Sequence, residues 1–352
     1  MSDYIYYPVI KTRDAELRCF GHLKEEDFSH ILPIYELTKS RSTKSTAPDG
    51  DIHRRMSQIS NIQGGNPFIL DLCTSPKYEN PQIRQLLQPY NGFSEWRSFL
   101  NFYKKGLNII PMIHIYEDEE SSFDDVVSFV KETSKHYEKL AVRLPYDLEV
   151  DEYSYYLAPI VSHIGNSKLI VLLDADYIRN ESKNDVEAVI EQFTRSVSGV
   201  LAMSNIEECV MLCTTFPASV AKEGKSDSDG EFRIYEEQIY QGVKKKVPVK
   251  YGDYASINTE QIEIKGGTFV PRIDIALTDS FIYKRYRRDD GSYPRCANEM
   301  IHDKKYVDLG IWSNEEITLA SKNAPSGISP SFWISVRMFY YMRTRVNLRT
   351  NS

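Results

Sequence analysis

Charged or polar side chains stand at the end of each of eight short apolar segments in this sequence. They are Lys11, Glu36, Asp71, His114, Arg143, Asp174 with Asp176, Thr214 with Thr215, and Asp253 with Tyr254. Burying several such groups in one narrow interior is unfavourable unless they pair with each other, a ligand or a metal ion. One aspartate at a strand end commonly caps the next helix. Six or more charged ends together predict a functional pocket.

The residue types at these ends allow more than one chemistry. The predicted catalytic carboxylates are Glu36, Asp71, Asp174 and Asp253. The predicted ligand-binding residues at these ends are Lys11, Arg143, Tyr254 and His114. Carboxylates of this kind can hold Mg2+ or Mn2+ or transfer protons, a histidine can act as a base, and lysine and arginine bind phosphate or carboxylate. The same residues can instead form an internal ion-pair network, with His114 as an ordinary core residue.

Motifs for nucleophilic catalysis and nucleotide binding are absent. The sequence contains no GxSxG, no P-loop and no HExxH, and no GxGxxG follows an apolar segment. We therefore keep two hypotheses. One is a metal-assisted or acid/base hydrolase acting on a phosphorylated or nucleotide-like ligand. The other is a sensor that recognises a partner protein without catalysis.

The apolar segments that carry these residues predict a (β/α)8 barrel. The segment 168–177, KLIVLLDADY, is a continuous apolar run closed by two aspartates, as expected of a parallel strand buried on both faces. The same design recurs along the chain at 5–11, 31–37, 67–74, 108–115, 139–144, 208–216 and 249–257. Helical patterns separate most of these segments, as a barrel requires. An open doubly wound sheet is the alternative, because periodicity does not show closure.

The last quarter of the chain departs from this alternation. Segments 268–277 and 281–288 predict a β-hairpin outside the barrel, and 331–343 predicts a closing helix. We predict a single domain over 1–352, with a barrel core at 1–260 and the hairpin and closing helices at 261–352. The basic run from Lys284 to Arg288 lies in the hairpin and is its candidate contact surface for a partner protein.

Charge and composition limit the partners. The formal net charge of −7 makes nucleic acid unlikely as a bulk partner, although Lys244, Lys245 and Lys246 form a local basic run. The 24 tyrosines suit half-buried positions or, alternatively, a stacking surface. The partner is therefore predicted to be a small anionic ligand or a protein. The sequence does not indicate an oligomeric state.

Cysteine usage and hydropathy predict a cytoplasmic protein. Five scattered cysteines without a CxxC pair are expected to be buried free thiols in a reducing compartment. The first residues lack the pattern of a signal peptide. No segment approaches the roughly 18 apolar residues of a membrane-spanning helix.

An ordered series of short motifs resembles the beta family proteins of bacteria and phages. The start, YYPVIK at 6–11 followed by ILPIYEL at 31–37, is similar to the family's Tyr-x-Pro-x-x-Lys segment and Ile-x-Pro-x-x-Glu strand. Further similar motifs are FILDL at 68–72, VRL at 142–144, LLD at 172–174, TTFP at 214–217 and YGDY at 251–254. The chain departs from the family at 272–277 and where Tyr340 and Tyr341 replace a histidine pair.

The resemblance implies a barrel-like α/β protein of a kind often encoded near phage or antiviral defence genes. In that setting the partner of a sensor would be a phage or host protein. It implies no particular activity, cofactor or substrate. Carried over residue by residue, it favours Lys11, Glu16, Glu36, Asp71, Arg143, Asp174, Arg233, Asp253 and Tyr254. Most of these are the strand-end residues that position alone selects.

Overall fold

Eight parallel strands close into a barrel, as the (β/α)8 prediction requires. The computed structural model describes residues 4–260 and 269–350. In chain order its strands are β1 (Tyr7–Lys11), β2 (Ile34–Leu37), β3 (Phe68–Leu72), β4 (Ile109–Ile113), β5 (Lys139–Pro145), β6 (Lys168–Tyr177), β7 (Ile206–Thr214), β8 (Asp229–Arg233), β9 (Lys250–Asp253), β10 (Arg272–Ala276) and β11 (Ser280–Arg285). Of these, β1 to β7 and then β9 form the closed barrel. Closure excludes the open doubly wound sheet.

Helices follow most barrel strands and cover the outside. They are α1 (Asp14–Phe20), α2 (Ile52–Gln63), α3 (Pro81–Leu86), α4 (Tyr90–Tyr103), α5 (Asp124–Thr133), α6 (Val150–Val161), α7 (Arg179–Asn184), α8 (Val186–Leu201), α9 (Val220–Glu223), α10 (Glu236–Lys244), α11 (Ser292–Ile301), α12 (Trp312–Ser321) and α13 (Pro330–Thr350). Short 3-10 helices lie at Glu25–Ser29 and Arg288–Asp290. No helix of the described segments is long and apolar enough to cross a bilayer.

The strand β6 shows why the barrel strands are continuous apolar runs. Ile170 and Leu172 belong to the cluster inside the barrel, whereas Val171 packs in the layer between strands and helices. Successive side chains of a strand point to opposite faces. Both faces of β6 are buried, so no polar alternation marks it, and the predicted bounds 168–177 match the observed strand.

The C-terminal hairpin belongs to a larger antiparallel sheet than the sequence predicts. Strands β10 and β11 pair as expected, and β8 adds a third strand on the other side of β11. The helix that follows β8 along the chain begins at Glu236. Phe232 supplies the apolar contact of β8 by stacking on Phe281 at 5.4 Å between ring centroids. Thr268, the first residue of the predicted hairpin, lies outside the described residues.

The helix α13 joins the barrel to this sheet. It is longer than the predicted 331–343 and contacts both α1 and β10. Arg345 on α13 is fully buried and donates hydrogen bonds to the backbone oxygens of Leu277 and Thr278. This position matches that of the predicted closing helix. The five cysteines are buried free thiols, as expected.

Candidate functional site

Five predicted site residues face one opening at the carboxyl ends of the barrel strands. The apolar residues Val9, Ile34, Ile69, Ala141 and Leu172 belong to the inner cluster, and Lys11, Glu36, Asp71, Arg143 and Asp174 follow them by two positions each. Strand alternation therefore turns all five side chains toward the barrel axis. They line a pocket of about 500 Å³ together with His114, Asp176 and Tyr254. We call this opening the barrel mouth.

Arg143 lies at the centre of the barrel mouth and contacts three carboxylates. Its Nε donates to Asp174 Oδ2 at 2.7 Å, and its Nη1 donates to Asp71 Oδ2 at 3.1 Å and to Glu36 Oε2 at 3.4 Å. Burial acts against its charge, but Asp174 and its other neighbours raise the pKa of Arg143 well above the ordinary value. Arg143 is therefore a permanent cation that holds carboxylates from three other strands at one point.

Lys11 supplies the second cation of the mouth. Its Nζ lies 3.0 Å from Glu36 Oε1, and the register of β1 and β2 places Lys11 directly beside Glu36. Although burial favours the neutral carboxyl, Arg143 and Lys11 lower the pKa of Glu36 below its usual value. Glu36 is therefore ionised at neutral pH and acts as a hydrogen-bond acceptor rather than as an acid.

The lowered pKa of Glu36 predicts a pH-dependent share of stability. A carboxyl with a lower pKa in the folded state adds stability above its unfolded pKa and loses it as pH falls through the folded pKa. For Glu36 this loss begins below the ordinary value of 4.5. Between about pH 5 and about pH 3, we expect wild type to lose more free energy of unfolding than Glu36→Gln. Urea denaturation at each pH measures this difference, and parallel losses in both proteins would contradict it.

Tyr254 bridges Arg143 and Asp174 in the mouth. Its hydroxyl accepts from Arg143 Nη2 at 2.7 Å and donates to Asp174 Oδ2 at 2.7 Å. Burial, with the neighbouring Asp174 and Asp176, raises the pKa of Tyr254 well above its usual value. The phenol therefore stays protonated and fixes the Asp174 carboxylate beside Arg143.

His114 lies at the edge of the mouth with a free nitrogen. Its ring packs near Trp96, 5.9 Å between centroids, and its buried Nε2 has no hydrogen-bond partner within the described part of the chain. Burial lowers the pKa of His114, and the negative charge of Asp71 opposes this only in part. The imidazole is therefore neutral at physiological pH and can accept a proton.

Strained backbone borders the mouth on two sides. Asp176 has a φ of 51°, and Ala255 and Ser256, which follow Tyr254, have φ values of 47° and 65°. Left-handed conformations are unfavourable for residues with a side chain and are found preferentially at ligand sites. Here Arg337 Nη2 donates to the backbone oxygen of Ser256 at 3.1 Å and holds the loop in place. The strain supports the mouth as a functional site.

Asp253 does not belong to the barrel mouth. It is adjacent to the inward-facing Tyr254, so strand alternation turns its side chain outward. Its carboxylate accepts hydrogen bonds from the hydroxyls of Tyr6 and Tyr251 at 2.6 Å each and of Tyr341 at 2.7 Å. We call these four residues the tyrosine cluster. It lies where α13 packs on the barrel, so its geometry corresponds to a structural contact.

Arg233 and Glu16 also lie away from the mouth. Arg233 is on the edge strand β8, exposed, and its Nη2 donates to Gln238 at 2.6 Å. Glu16 is buried in α1 and accepts hydrogen bonds from Arg13. The structure instead adds loop residues that sequence reasoning missed, among them Thr74, Ser75 and Thr259. Their only signal is a hydroxyl in a loop near a strand end, which is too common to identify them.

The charges of the mouth are unequal. Four carboxylates, Glu36, Asp71, Asp174 and Asp176, face two cations. Within the described segments, no group of three or more His, Cys, Asp or Glu residues has an arrangement that could hold a metal ion. The carboxylates converge instead on the guanidinium of Arg143. A ligand that enters the mouth therefore meets an excess of hydrogen-bond acceptors.

Sequence comparison places the chain among known proteins. The family described as Beta protein matches residues 6–347, which include every residue of the mouth. The chain is 27% identical to "Protein beta" of Enterobacteria phage P4, over 99% of this chain and 94% of that protein. The match extends through the barrel, the antiparallel sheet and most of α13. The chain therefore belongs to the Beta protein family.

Proposed function

We propose that the barrel mouth binds a small phosphorylated, nucleotide-like ligand. The observation that carries this proposal is the pair of cations in an open pocket lined by carboxylates. The side chains of Lys11 and Arg143 remain 20% and 25% exposed, so both can reach an entering anionic group. Ligands of barrels with parallel strands bind at this end, where the loops converge.

The excess of carboxylates favours a nucleotide-like ligand over inorganic phosphate. Lys11 and Arg143 suit the phosphate, whereas Asp71, Asp174 and Asp176 need hydrogen-bond donors. Ribose hydroxyls and base amino groups provide such donors on the same molecule as a phosphate. Inorganic phosphate offers only its P–OH groups as donors, too few for four carboxylates.

Hydrolysis of such a ligand would use His114 as the base. The lowered pKa of His114 leaves its imidazole neutral, so the imidazole would accept the proton of a water molecule that attacks the phosphorus. The P–O bond to the nucleoside would then break, and solvent would protonate the leaving oxygen. Lys11 and Arg143 would stabilise the negative charge that develops on the phosphate.

Calorimetric titration with a nucleoside monophosphate, a sugar phosphate and inorganic phosphate tests the proposal. We expect binding of the nucleoside monophosphate, and Lys11→Gln is expected to weaken it at least about tenfold because a charge-assisted hydrogen bond is lost. Lys168→Gln, at the opposite end of the β6 strand, is the matched control and should bind like wild type. Equal affinities of wild type and Lys11→Gln would refute the proposal.

A second candidate function is a sensor or protein-binding component in phage–host conflict, acting in the cytoplasm. The relative from phage P4 supports this setting. The hairpin of β10 and β11, which is the proposed contact surface, gives this second candidate function weaker support than the relative does. Lys284 Nζ lies 2.8 Å from Asp303, and Arg285 is paired with Asp227, so the basic run is largely neutralised. Charge reversal at the exposed Arg287 and Arg288, followed by phage plating, tests this alternative.

A further inference from the structure

The end of the barrel opposite the mouth has a different charge from the rest of the molecule. Two grooves, with volumes of about 710 and 690 Å³, lie at the amino ends of the strands. Both are lined by Tyr4, so they meet at this residue. The first lies below β3, β4 and β5, and the second lies below β7 and β9. We call these two grooves the basal grooves.

Cations outnumber carboxylates in both basal grooves. Three lysines and one glutamate line the first groove. Four lysines and one arginine, against two glutamates, line the second. The whole chain has a net charge of −7, so the acidic excess lies elsewhere and the basal face is a local positive region. Such a concentration of charge attracts anionic partners.

Several of these lysines are available to a partner. Lys105, Lys245 and Lys246 are exposed, and none has a carboxylate within ion-pair distance over the residues that the structure describes. By contrast, Lys139 pairs with Glu207 at 2.9 Å and Lys250 lies 3.5 Å from Glu208. Internal pairing therefore neutralises the strand lysines, while the lysines after α4 and α10 keep their charge for an external anion.

The shape of the basal grooves favours an extended anion with flat groups. The two grooves share Tyr4 as a lining residue, and each has more room than a small anion needs. Tyr4 is half-buried at the junction and packs edge-on against Tyr7, with 6.4 Å between ring centroids. Proteins that bind single-stranded nucleic acid combine a positive groove along the backbone with aromatic side chains on which bases stack. We propose that the basal grooves bind single-stranded nucleic acid.

This proposal is independent of the barrel mouth. The two sites lie at opposite ends of the strands and share no residue. It also agrees with the overall charge, because a local path of lysines does not require a basic protein. The mouth would then bind a small ligand while the basal face holds a strand.

Fluorescence anisotropy with labelled single-stranded RNA and DNA of about 20 nucleotides tests the proposal on the full chain. We expect binding that weakens steeply between about 50 and about 200 mM salt, as phosphate contacts require. Lys245→Glu with Lys246→Glu is expected to lower the affinity at least about tenfold and to flatten the salt dependence. Lys105→Glu, in the other groove, should also weaken binding. Preference for RNA over DNA would assign a role to the 2′-hydroxyl.

Controls separate a specific path from general attraction. Lys222→Glu with Lys304→Glu makes the same charge change at exposed positions away from the basal face, and Lys11→Gln alters only the mouth. Both should bind like wild type. If charge reversal impairs folding, Lys245→Gln with Lys246→Gln replaces it. This neutral variant is expected to lose an intermediate amount of affinity. Equal affinity of all variants, no effect of Lys105→Glu, or equally effective competition by polyglutamate would overturn the proposal.

Discussion

Replacement of Arg143 by alanine is expected to lower the free energy of unfolding by about 3–5 kcal/mol. The guanidinium bonds to Asp174, Asp71 and Glu36, whose carboxyl groups would then face one another without it. Removal of one partner from a buried ion pair leaves an uncompensated charge, and the loss is of about this size. Urea denaturation followed by circular dichroism measures it.

Arg143→Lys is the matched control for this change. It keeps the positive charge but loses the planar fork that contacts several carboxylates at once, so an intermediate loss is expected. The difference between Arg143→Ala and wild type should shrink toward about pH 4, because buried carboxyl groups that lack a partner take up protons. A stable Arg143→Ala protein at neutral pH would mean that the carboxylates of the mouth do not depend on Arg143.

Asp253→Ala is expected to destabilise the fold without weakening ligand binding at the mouth. The substitution removes the acceptor shared by the hydroxyls of Tyr6, Tyr251 and Tyr341 and by the backbone N–H of Ala255. The hydroxyls of Tyr251 and Tyr341 lie 3.1 Å apart, so one of them can donate to the other. The remaining buried donors are left without an acceptor, at about 1–3 kcal/mol each. A total loss of about 3 kcal/mol or more is therefore expected by urea denaturation. Titration of the same variant with the mouth ligand should give the wild-type affinity.

Tyr341→Phe measures the contribution of one hydroxyl of the tyrosine cluster, because it leaves the Asp253 carboxylate in place. It removes one donor and leaves Asp253 with the hydroxyls of Tyr6 and Tyr251, so a loss of about 1 kcal/mol is expected. If Asp253→Ala had normal stability but no longer bound the ligand, the prediction would be wrong and Asp253 would belong to the functional site.

Much of the site was predictable because strand position decides it. A charged residue near the end of a strand that is buried on both faces lies at the barrel rim, independently of how the helices pack. This applies to Lys11, Arg143 and Asp174. Asp253 shows the limit of that argument. Its neighbour Tyr254 also ends the strand, and only one of two adjacent side chains can point inward. Inspection of the alternation, with Tyr251 on the same face as Asp253, would have placed Asp253 in the outer layer.

The parts that sequence reasoning missed depend on contacts between distant segments. Strand β8 has one buried side chain, Phe232, within a polar stretch, and it becomes a strand by pairing with β11. No local pattern shows a partner that lies about 50 residues away, as Ser280 does from Arg233. Arg233 was favoured by the family resemblance, and its position on the edge strand β8 places it away from the mouth. The basal grooves were missed for the same reason, since they combine residues of separate strand starts with the run at Lys244–Lys246.

The packing of α13 on α1 has a consequence for how the protein is made. Sγ of Cys19 lies 3.7 Å from Sδ of Met342, across 323 residues of sequence. During synthesis on the ribosome, α1 and the outer side of β1 emerge well before α13, the helix that covers them. Contacts between residues so far apart form slowly, and apolar surface that stays uncovered promotes aggregation of the nascent chain. Protection by chaperones would matter most in the interval before α13 leaves the ribosome.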